Sequence, residues 1–187
     1  MHEGLVVRAQ DGDQQAFADL IIASHPRLFR LANGILGNKY LAEDATQQAY
    51  LDIWRNLRRL RDPARFEAWS YRIVVRSCYR EAKHTPRWLP HDSLPVDREP
   101  KDRDRLEVVL DRDLLERSFG SLSVDQRAVV VLHHLMDMTL EQVAATLDVP
   151  PGTVNSRLSR ALAAMRAALE ADARFAESVP ATQEATR

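Results

Sequence analysis

The side chains best suited to contact a nucleic acid lie close together between residues 153 and 160. They are hydroxyl, amide and guanidinium groups: Thr153, Asn155, Ser156, Arg157, Ser159 and Arg160. Groups of these types donate and accept hydrogen bonds at base edges in the major groove of DNA. Apolar residues recur behind them at helical spacing, namely Val154, Leu158, Ala161, Leu162, Met165 and Leu169. The spacing predicts an amphipathic helix whose first two turns carry the polar groups.

A shorter helix is predicted directly before it, over residues 139–147, from the spacing of Leu140, Val143, Ala144 and Leu147. The segment DVPPG at 148–152 ends that helix and turns the chain, because proline lacks an amide donor. Thr139 and Thr153 are the expected N-caps. Two helices joined by a tight turn form a helix-turn-helix, whose second helix enters the major groove. The alternative is a helical hairpin that only completes a bundle.

A second candidate surface comes earlier, where residues 55–83 hold nine basic side chains against three acidic ones. One face of a predicted helix over 66–84 carries Arg72, Arg76, Tyr79 and Lys83, with Arg80 beside them. Cations of this kind meet phosphates, and aromatic rings stack on unpaired bases. A solubilising face with the tyrosine partly in the core is the alternative. The arginine-rich loop at 58–65 favours nucleic acid.

The elements that must position these surfaces are helical. The 187 residues include only six glycines, and no run alternates apolar and polar residues over the length of a strand. An all-α fold is therefore predicted, with two small helical domains joined by a flexible linker and the second domain ending in the helix-turn-helix. Four prolines among mixed charges mark the linker at 86–105. The expected domains are 1–85 and 106–170, followed by a polar tail at 171–187.

Apolar periodicity places further helices in both domains. The apolar pattern from Ala16 to Leu36 predicts one kinked helix or two in sequence, because Pro26 interrupts it. Before this pattern, residues 1–13 end in a polar stretch that serves as a helix-entry turn. After it, a third helix is expected over 41–57. The polar outer face of this third helix is interpreted, from the sequence pattern alone, as a face exposed to solvent. In the second domain, helices are expected over about 106–119 and over about 123–135, the latter opened by a capping box of Ser123 and Gln126.

Charge and cysteine content exclude several classes of protein. The formal net charge is −1, and residues 106–170 hold six arginines against nine acids. An acidic domain should bind DNA weakly alone, since neutralising phosphates supplies most of the affinity. The single cysteine, Cys78, excludes an intramolecular disulfide and a Cys-rich zinc site. No signal peptide or apolar run of roughly 20 residues occurs, so a cytoplasmic protein without membrane insertion is expected.

A metal-dependent enzyme is the least favoured class. His133 and His134 are adjacent, with Glu116 or Asp137 near them in the sequence. Neighbouring residues on a helix point about 100° apart and rarely chelate one ion together. An ordinary surface or interface pair of histidines is therefore preferred, and no catalytic residue, metal or cofactor is expected.

Three passages carry a resemblance to a known family. They are AEDATQQAYLDIW at 42–54, FEAWSYRI at 66–73 and PGTVNSRLSRA at 151–161. In this order and spacing, over roughly residues 5–170, they resemble the extracytoplasmic-function (ECF) sigma factors of bacterial RNA polymerase. The family patterns they resemble are AEDxxQxxFLxxW, FxxWLYRI and GTVxSRxxRA.

The resemblance implies a role for each surface. The third helix would dock on the clamp helices of the largest subunit of core RNA polymerase through Asp44, Gln47, Gln48, Leu51 and Trp54. The −10 promoter element would be captured as a single strand, with one base flipped out, by Arg58, Arg59, Arg61, Arg65, Phe66, Trp69, Arg72, Arg76, Tyr79, Arg80 and Lys83. The −35 element would be recognised as duplex by the six polar residues between 153 and 160.

The remaining implications concern partners. The linker would pass near the RNA exit path, and the second domain would lie on the flap of the second-largest polymerase subunit. An anti-sigma factor is a common partner in the family, although no residue of this chain identifies one. The alternative function is a stand-alone helix-turn-helix regulator that binds duplex DNA without polymerase.

Overall fold

The computed structural model describes residues 3–84 and 117–178, and over these residues it is helical, without a strand. The first part contains α1 (Glu3–Gln10), α2 (Gln14–Leu36), α3 (Lys39–Asn56) and α4 (Phe66–His84). The second contains α5 (Val124–Val130), α6 (Leu140–Leu147) and α7 (Pro151–Ser178), and a π-helical segment, Val131–Leu135, continues α5. The predicted all-α fold of two small helical domains is confirmed. The predicted linker, and the predicted helix at 106–119 up to residue 116, lie outside the described residues.

The core of the first domain lies where α2, α3 and α4 pack together. Leu20, Leu28, Leu31 and Ile35 of α2 are almost fully buried. On α3, the residues that face the core are buried, and most are small: Ala42, Ala45, Ala49, Ile53 and the adjoining Leu57. Short side chains let the helix backbones approach closely. None of the helices in the described part of the chain combines the length and apolar character that a membrane span needs.

Two features of the first domain could not be decided from the sequence: the helix at residues 3–10 and the continuity of α2 through Pro26. Residues 3–10 form α1, which buries Val6 and Ala9 against the core, although only a polar end was expected there. α2 is a single helix through Pro26. Asp13 caps its start, where the carboxylate accepts a hydrogen bond from the Ala16 amide at 2.9 Å. Gly37 caps its end in the left-handed conformation, with φ of 65°.

The helix-turn-helix forms, with a different start for its second helix. Thr139 caps α6 as predicted: its hydroxyl accepts from the Gln142 amide at 3.3 Å, and the Gln142 side chain accepts from the Thr139 amide at 2.8 Å. The predicted Ser123 capping box is present as well. α7, however, begins at Pro151, so the predicted N-cap at Thr153 is wrong. Proline fits the first helical position because its φ is already helical and no amide bond is lost there.

The far end of α7 also differs from the expectation. The helix runs to Ser178, into the predicted tail, because its alanine-rich sequence contains no glycine or proline between Gly152 and Pro180. Leu162 and Leu169 are 42% and 38% exposed, so their assignment to the inner stripe is wrong. The described part of the second domain does not cover that side of the helix.

The two threonines of the helix-turn-helix allow a matched test of the capping. Thr139→Ala should lower the free energy of unfolding by about 1 kcal/mol, because the exposed threonine contributes mainly its cap bond. Thr153→Ala, the same change inside α7, should alter stability by less than about 0.5 kcal/mol. Urea denaturation followed by circular dichroism measures both, and equal losses would contradict the assigned start of α7.

Candidate nucleic-acid interface

The first turns of α7 present an exposed polar face. Asn155, Ser156, Ser159 and Arg160 are exposed, and Thr153 is half-buried. Arg160 lies back along its own helix, where its guanidinium donates to the Ser156 carbonyl at 3.1 Å and to the Ser156 hydroxyl at 3.2 Å. These groups are presented by a rigid helix that the buried Val154 anchors to the core.

Arg157 does not share that face. Its side chain is only 22% exposed, and its guanidinium donates to a carboxylate oxygen of Asp125 at 3.1 Å. The pair joins the start of α7 to the first turn of α5. The structure therefore separates Arg157 from the other five residues that the sequence grouped with it.

The arginine-rich loop between α3 and α4 is held by α1. Gln10 donates from its side-chain amide to the Leu57 carbonyl at 2.9 Å and to the Leu60 carbonyl at 2.7 Å, and Arg58 donates back to the Gln10 carbonyl at 3.1 Å. Two short 3₁₀ turns, Leu57–Arg59 and Pro63–Arg65, shape the loop. The sequence missed Gln10 as a positioning residue, since α1 itself was not expected.

In the loop between α3 and α4, the four arginines are all exposed: Arg58, Arg59, Arg61 and Arg65. The exposed face of α4 adds Arg76, Arg80 and Lys83. Arg80 donates to an Asp52 carboxylate oxygen of α3 at 2.7 Å, so Asp52 belongs to this surface rather than to a solvated face. A cleft between α3 and α4 is lined by Asp52, Asn56, Arg59, Trp69, Ile73, Arg76 and Arg80.

The aromatic residues of this region differ in exposure. Phe66 is 4% exposed and belongs to the core, whereas Trp69 is half-buried above it with ring centroids 6.2 Å apart. Phe66 therefore supports the surface from beneath, and Trp69 offers the ring that lines the cleft. Tyr79 is also half-buried, and burial together with the nearby Asp125 carboxylate raises the pKa of its hydroxyl well above the usual range.

Two residues of the α4 face contact the second domain. Tyr79 lies near the Asp125 carboxylate of α5, which contributes to the raised pKa of the tyrosine hydroxyl. Arg72 donates to the backbone carbonyl of Ala145 in α6. The structure thus brings part of the sequence-predicted single-strand surface against the helix-turn-helix domain.

The outer face of α3 is not simply polar. Leu51 and Trp54 are 51% and 43% exposed, and they lie on the same side of the helix as the exposed Asp44 and Gln47. Trp54 is fixed by an edge-to-face contact with Phe17, with ring centroids 4.6 Å apart. Gln48 is half-buried, and its amide donates to Asp52 at 3.4 Å. Large apolar side chains held rigidly at a surface are typical of a protein-binding site.

Comparisons with known proteins place the chain in a family. Residues 20–87 match the family "Sigma-70 region 2" and residues 112–165 match "Sigma-70, region 4". The chain is 35% identical over 155 residues to the ECF RNA polymerase sigma factor SigM of Mycobacterium tuberculosis, covering 81% of this chain and 76% of SigM. It belongs to the ECF sigma factors.

Two further comparisons agree. The ECF RNA polymerase sigma factor SigE of Mycolicibacterium smegmatis is 33% identical over 168 residues, which span 84% of this chain and 64% of SigE. The solved structure of CnrH in complex with the cytosolic domain of CnrY has a TM-score of 0.64 and 26% identity, and covers 91% of this chain and 97% of that one. The region 2 match includes α3 and α4, and the region 4 match includes the helix-turn-helix of this sigma factor.

The adjacent histidines His133 and His134 interact with neighbouring residues of the π-helical segment and of the turn that follows it. The His133 ring nitrogen Nδ1 lies 2.7 Å from the Met138 carbonyl, and burial, with the neighbouring His133, lowers the pKa of His134. Over residues 3–84 and 117–178, His, Cys, Asp and Glu form no group of three that could hold a metal ion. Glu116, which the sequence placed near the pair, lies outside the described residues.

Proposed function

We propose that this sigma factor directs initiation through three separate surfaces. The outer face of α3 docks on the clamp helices of core polymerase, α4 with its preceding loop binds the melted −10 element, and the start of α7 recognises the −35 duplex. The observation that carries the proposal is the separation of exposed side chains by type: apolar anchors on α3, cations beside an aromatic cleft on α4, and small polar groups on α7.

Docking on polymerase is best supported by Leu51 and Trp54. Burying their exposed apolar surface against a partner is favourable by roughly 25 cal/mol per Å². A rigid tryptophan is also a frequent centre of binding energy in protein interfaces. Asp44, Gln47 and Gln48 on the same helix then supply polar contacts at the rim, which fix the orientation of the partner.

Single-strand capture follows from the chemistry of the α4 surface. Exposed arginines of the loop and Arg76, Arg80 and Lys83 of α4 contact phosphates, and Trp69 stacks on a base. Taking a base out of the stack costs a few kcal/mol, which stacking and hydrogen bonds in the cleft must offset. Gln10 contributes indirectly, since it holds the loop backbone that carries the arginines.

Duplex recognition by α7 is weak without the other contacts. Arg160 and Asn155 have the donors that bidentate base contacts require, but acids outnumber arginines in residues 106–170. Binding to polymerase and to the −10 strand raises the effective concentration of α7 at the −35 element. The second domain would lie on the polymerase flap for this purpose, with the segment at 86–105 passing near the RNA exit path.

The proposed sigma factor acts by binding, not by catalysis, and it works in the cytoplasm, where core polymerase meets promoters. CnrH, a similar protein, was solved with the cytosolic domain of CnrY. By that likeness we expect this chain to bind a protein partner, and the resemblance to the family makes an anti-sigma factor the expected kind. A stand-alone regulator is disfavoured, because region 2 and region 4 both match within this one chain.

Run-off transcription on genomic DNA fragments tests the proposal as a whole. Core polymerase with the protein should give discrete transcripts that core polymerase alone does not give. The free protein should bind the same duplex promoters poorly in a gel-shift assay. Tight, sequence-specific binding by a dimer of the free protein would instead favour the stand-alone regulator.

Charge reversal on α3 tests the docking surface. Asp44→Arg should weaken assembly with core polymerase by on the order of tenfold, or about 1.4 kcal/mol, because it places a cation at the proposed rim. Asp11→Arg makes the same change at an exposed position in the turn between α1 and α2, and should assemble normally. Fluorescence anisotropy with labelled protein measures both, and equal affinities for the two variants would remove this role from α3.

Arginine removal on α7 tests the −35 contact. Arg160→Ala should reduce discrimination between the correct and a mutated −35 element by about 1–3 kcal/mol, if the guanidinium makes a bidentate base contact. Arg166→Ala, further along the same helix and also exposed, is the matched control and should keep the preference. Competition between promoters in holoenzyme transcription gives the numbers. An unchanged preference in Arg160→Ala would contradict the assignment.

A further inference from the structure

We propose that a cleft beside Trp54 receives an acidic side chain of core polymerase. The cleft lies between the turn that joins α1 to α2 and the C-terminal end of α3, and its volume is about 420 Å³. The inference rests on the proposed docking of α3 on polymerase. It adds the chemistry of the contact: the partner helix carries a glutamate or an aspartate where it passes the end of α3.

The floor and one wall of the cleft are apolar. Ala9 of α1 and Leu57, directly after α3, line the cleft and are 5% and 1% exposed. Trp54 forms the wall, and its edge-to-face contact with Phe17 fixes the indole ring. Long charged side chains pack their methylene groups on apolar surface and keep the charged end among polar groups. A partner side chain of this kind would fill the cleft.

The other side chains of the cleft supply hydrogen-bond donors. They belong to Gln14, Arg55 and Arg58, and none of the residues that line the cleft in the described part of the chain is acidic. Arg58 donates through Nε to the Gln10 carbonyl at 3.1 Å, and its terminal nitrogens provide further donors. Two guanidinium groups and an amide can bind one carboxylate by charge-assisted hydrogen bonds.

Gly12 keeps the mouth of the cleft open. Its φ of 99° lies in the left-handed region, which glycine adopts without strain. A Cβ atom built there would lie 3.5 Å from a terminal nitrogen of Arg58, in van der Waals contact. A longer side chain at this position would occupy the space in front of Arg58. The glycine therefore serves both the turn and the access to the cleft.

Two acids close to the lining residues in the sequence are engaged elsewhere. Asp13 accepts a hydrogen bond from Arg8 at 2.6 Å. Asp52 lies 3.7 Å from Arg55, but the same carboxylate accepts from Arg80 at 2.7 Å. Because one carboxylate carries one negative charge, Asp52 cannot neutralise both arginines. The cleft therefore retains positive charge, which attracts an anion.

The position of the cleft on the docking face determines which anion it receives. Asp44, Leu51 and Arg55 lie on one side of α3, because 100° per residue brings them within about 40° of one another. The face therefore runs from an acid to a cation over roughly 17 Å, at 1.5 Å per residue. A partner helix that covers Leu51 and Trp54 passes the cleft, and complementary charge favours a carboxylate at that point.

Charge reversal at Arg55 tests the cleft in the full-length protein. The Arg55 side chain is 65% exposed, so Arg55→Glu should fold normally. It should weaken binding to core polymerase about tenfold, because two carboxylates would then face each other. Lys39→Glu is the matched control: Lys39 is 64% exposed on the same helix, but lies about 160° around it from Arg55, and should bind normally. Fluorescence anisotropy without DNA measures both, and equal losses would reflect net charge alone and overturn the inference.

A second pair of variants keeps both arginines. Gln14→Glu, in the exposed first turn of α2, places a carboxylate at the cleft that can pair with Arg55 and Arg58 within the chain. It should therefore weaken binding to core polymerase about threefold or more. Gln14→Lys changes the same position with the opposite charge, and should bind at least as tightly as the unaltered protein.

The other outcomes separate this inference from the docking role of α3. If Arg55→Glu and Gln14→Glu bind core polymerase as tightly as the unaltered protein while Asp44→Arg is weakened, α3 docks but the cleft receives no carboxylate, and the inference is wrong. If Asp44→Arg is unaffected as well, the docking face itself is wrong. If Arg55→Glu impairs promoter melting by the holoenzyme but not its assembly, the cleft binds a DNA phosphate instead, which also overturns the inference.

Discussion

The first domain depends on the close approach of α3 to α2 and α4. Ala42, Ala45 and Ala49 are fully buried along that contact, and the bulky partners come from the neighbouring helices. Because interiors are close-packed, a larger side chain at any of the three positions would push α3 outward. Leu51 and Trp54 on the opposite side of α3 would move with it, and so would the loop that begins at Leu57. One contact therefore positions both the proposed polymerase-binding face and the arginine-rich loop.

Strong local signals allowed much of this fold to be predicted. The start of α4 at Phe66, the buried face of α3, the capping box at Ser123 and the N-cap at Thr139 follow from apolar spacing and from short-range hydrogen bonds, which a sequence shows directly. α1 was missed because a helix of eight residues with only Val6 and Ala9 buried leaves almost no periodic pattern. The start of α7 was misplaced because Thr153 offers a good cap, while Pro151 two residues earlier is already compatible with a helix.

The site was less predictable, since its positioning contacts join residues far apart in the chain. Gln10 bonds carbonyls 47 and 50 residues away, and Asp52 bonds Arg80 across 28 residues. Periodicity gives the face of a helix on which a residue lies, but not the partner that it meets. The sequence could therefore group Arg157 with its exposed neighbours, whereas tertiary packing turns it toward Asp125. Leu162 and Leu169 illustrate the reverse case, where an apolar stripe extends beyond the described elements that cover it.

The contacts between the domains use the same chemistry that the proposed DNA contacts would use. Arg72 and Arg157 donate to a carbonyl and to a carboxylate, and guanidinium groups bind base and phosphate oxygens with the same donors. The acidic balance of residues 106–170 then has two consequences. It weakens independent binding to duplex DNA, and it makes this domain a suitable partner for the cationic face of α4.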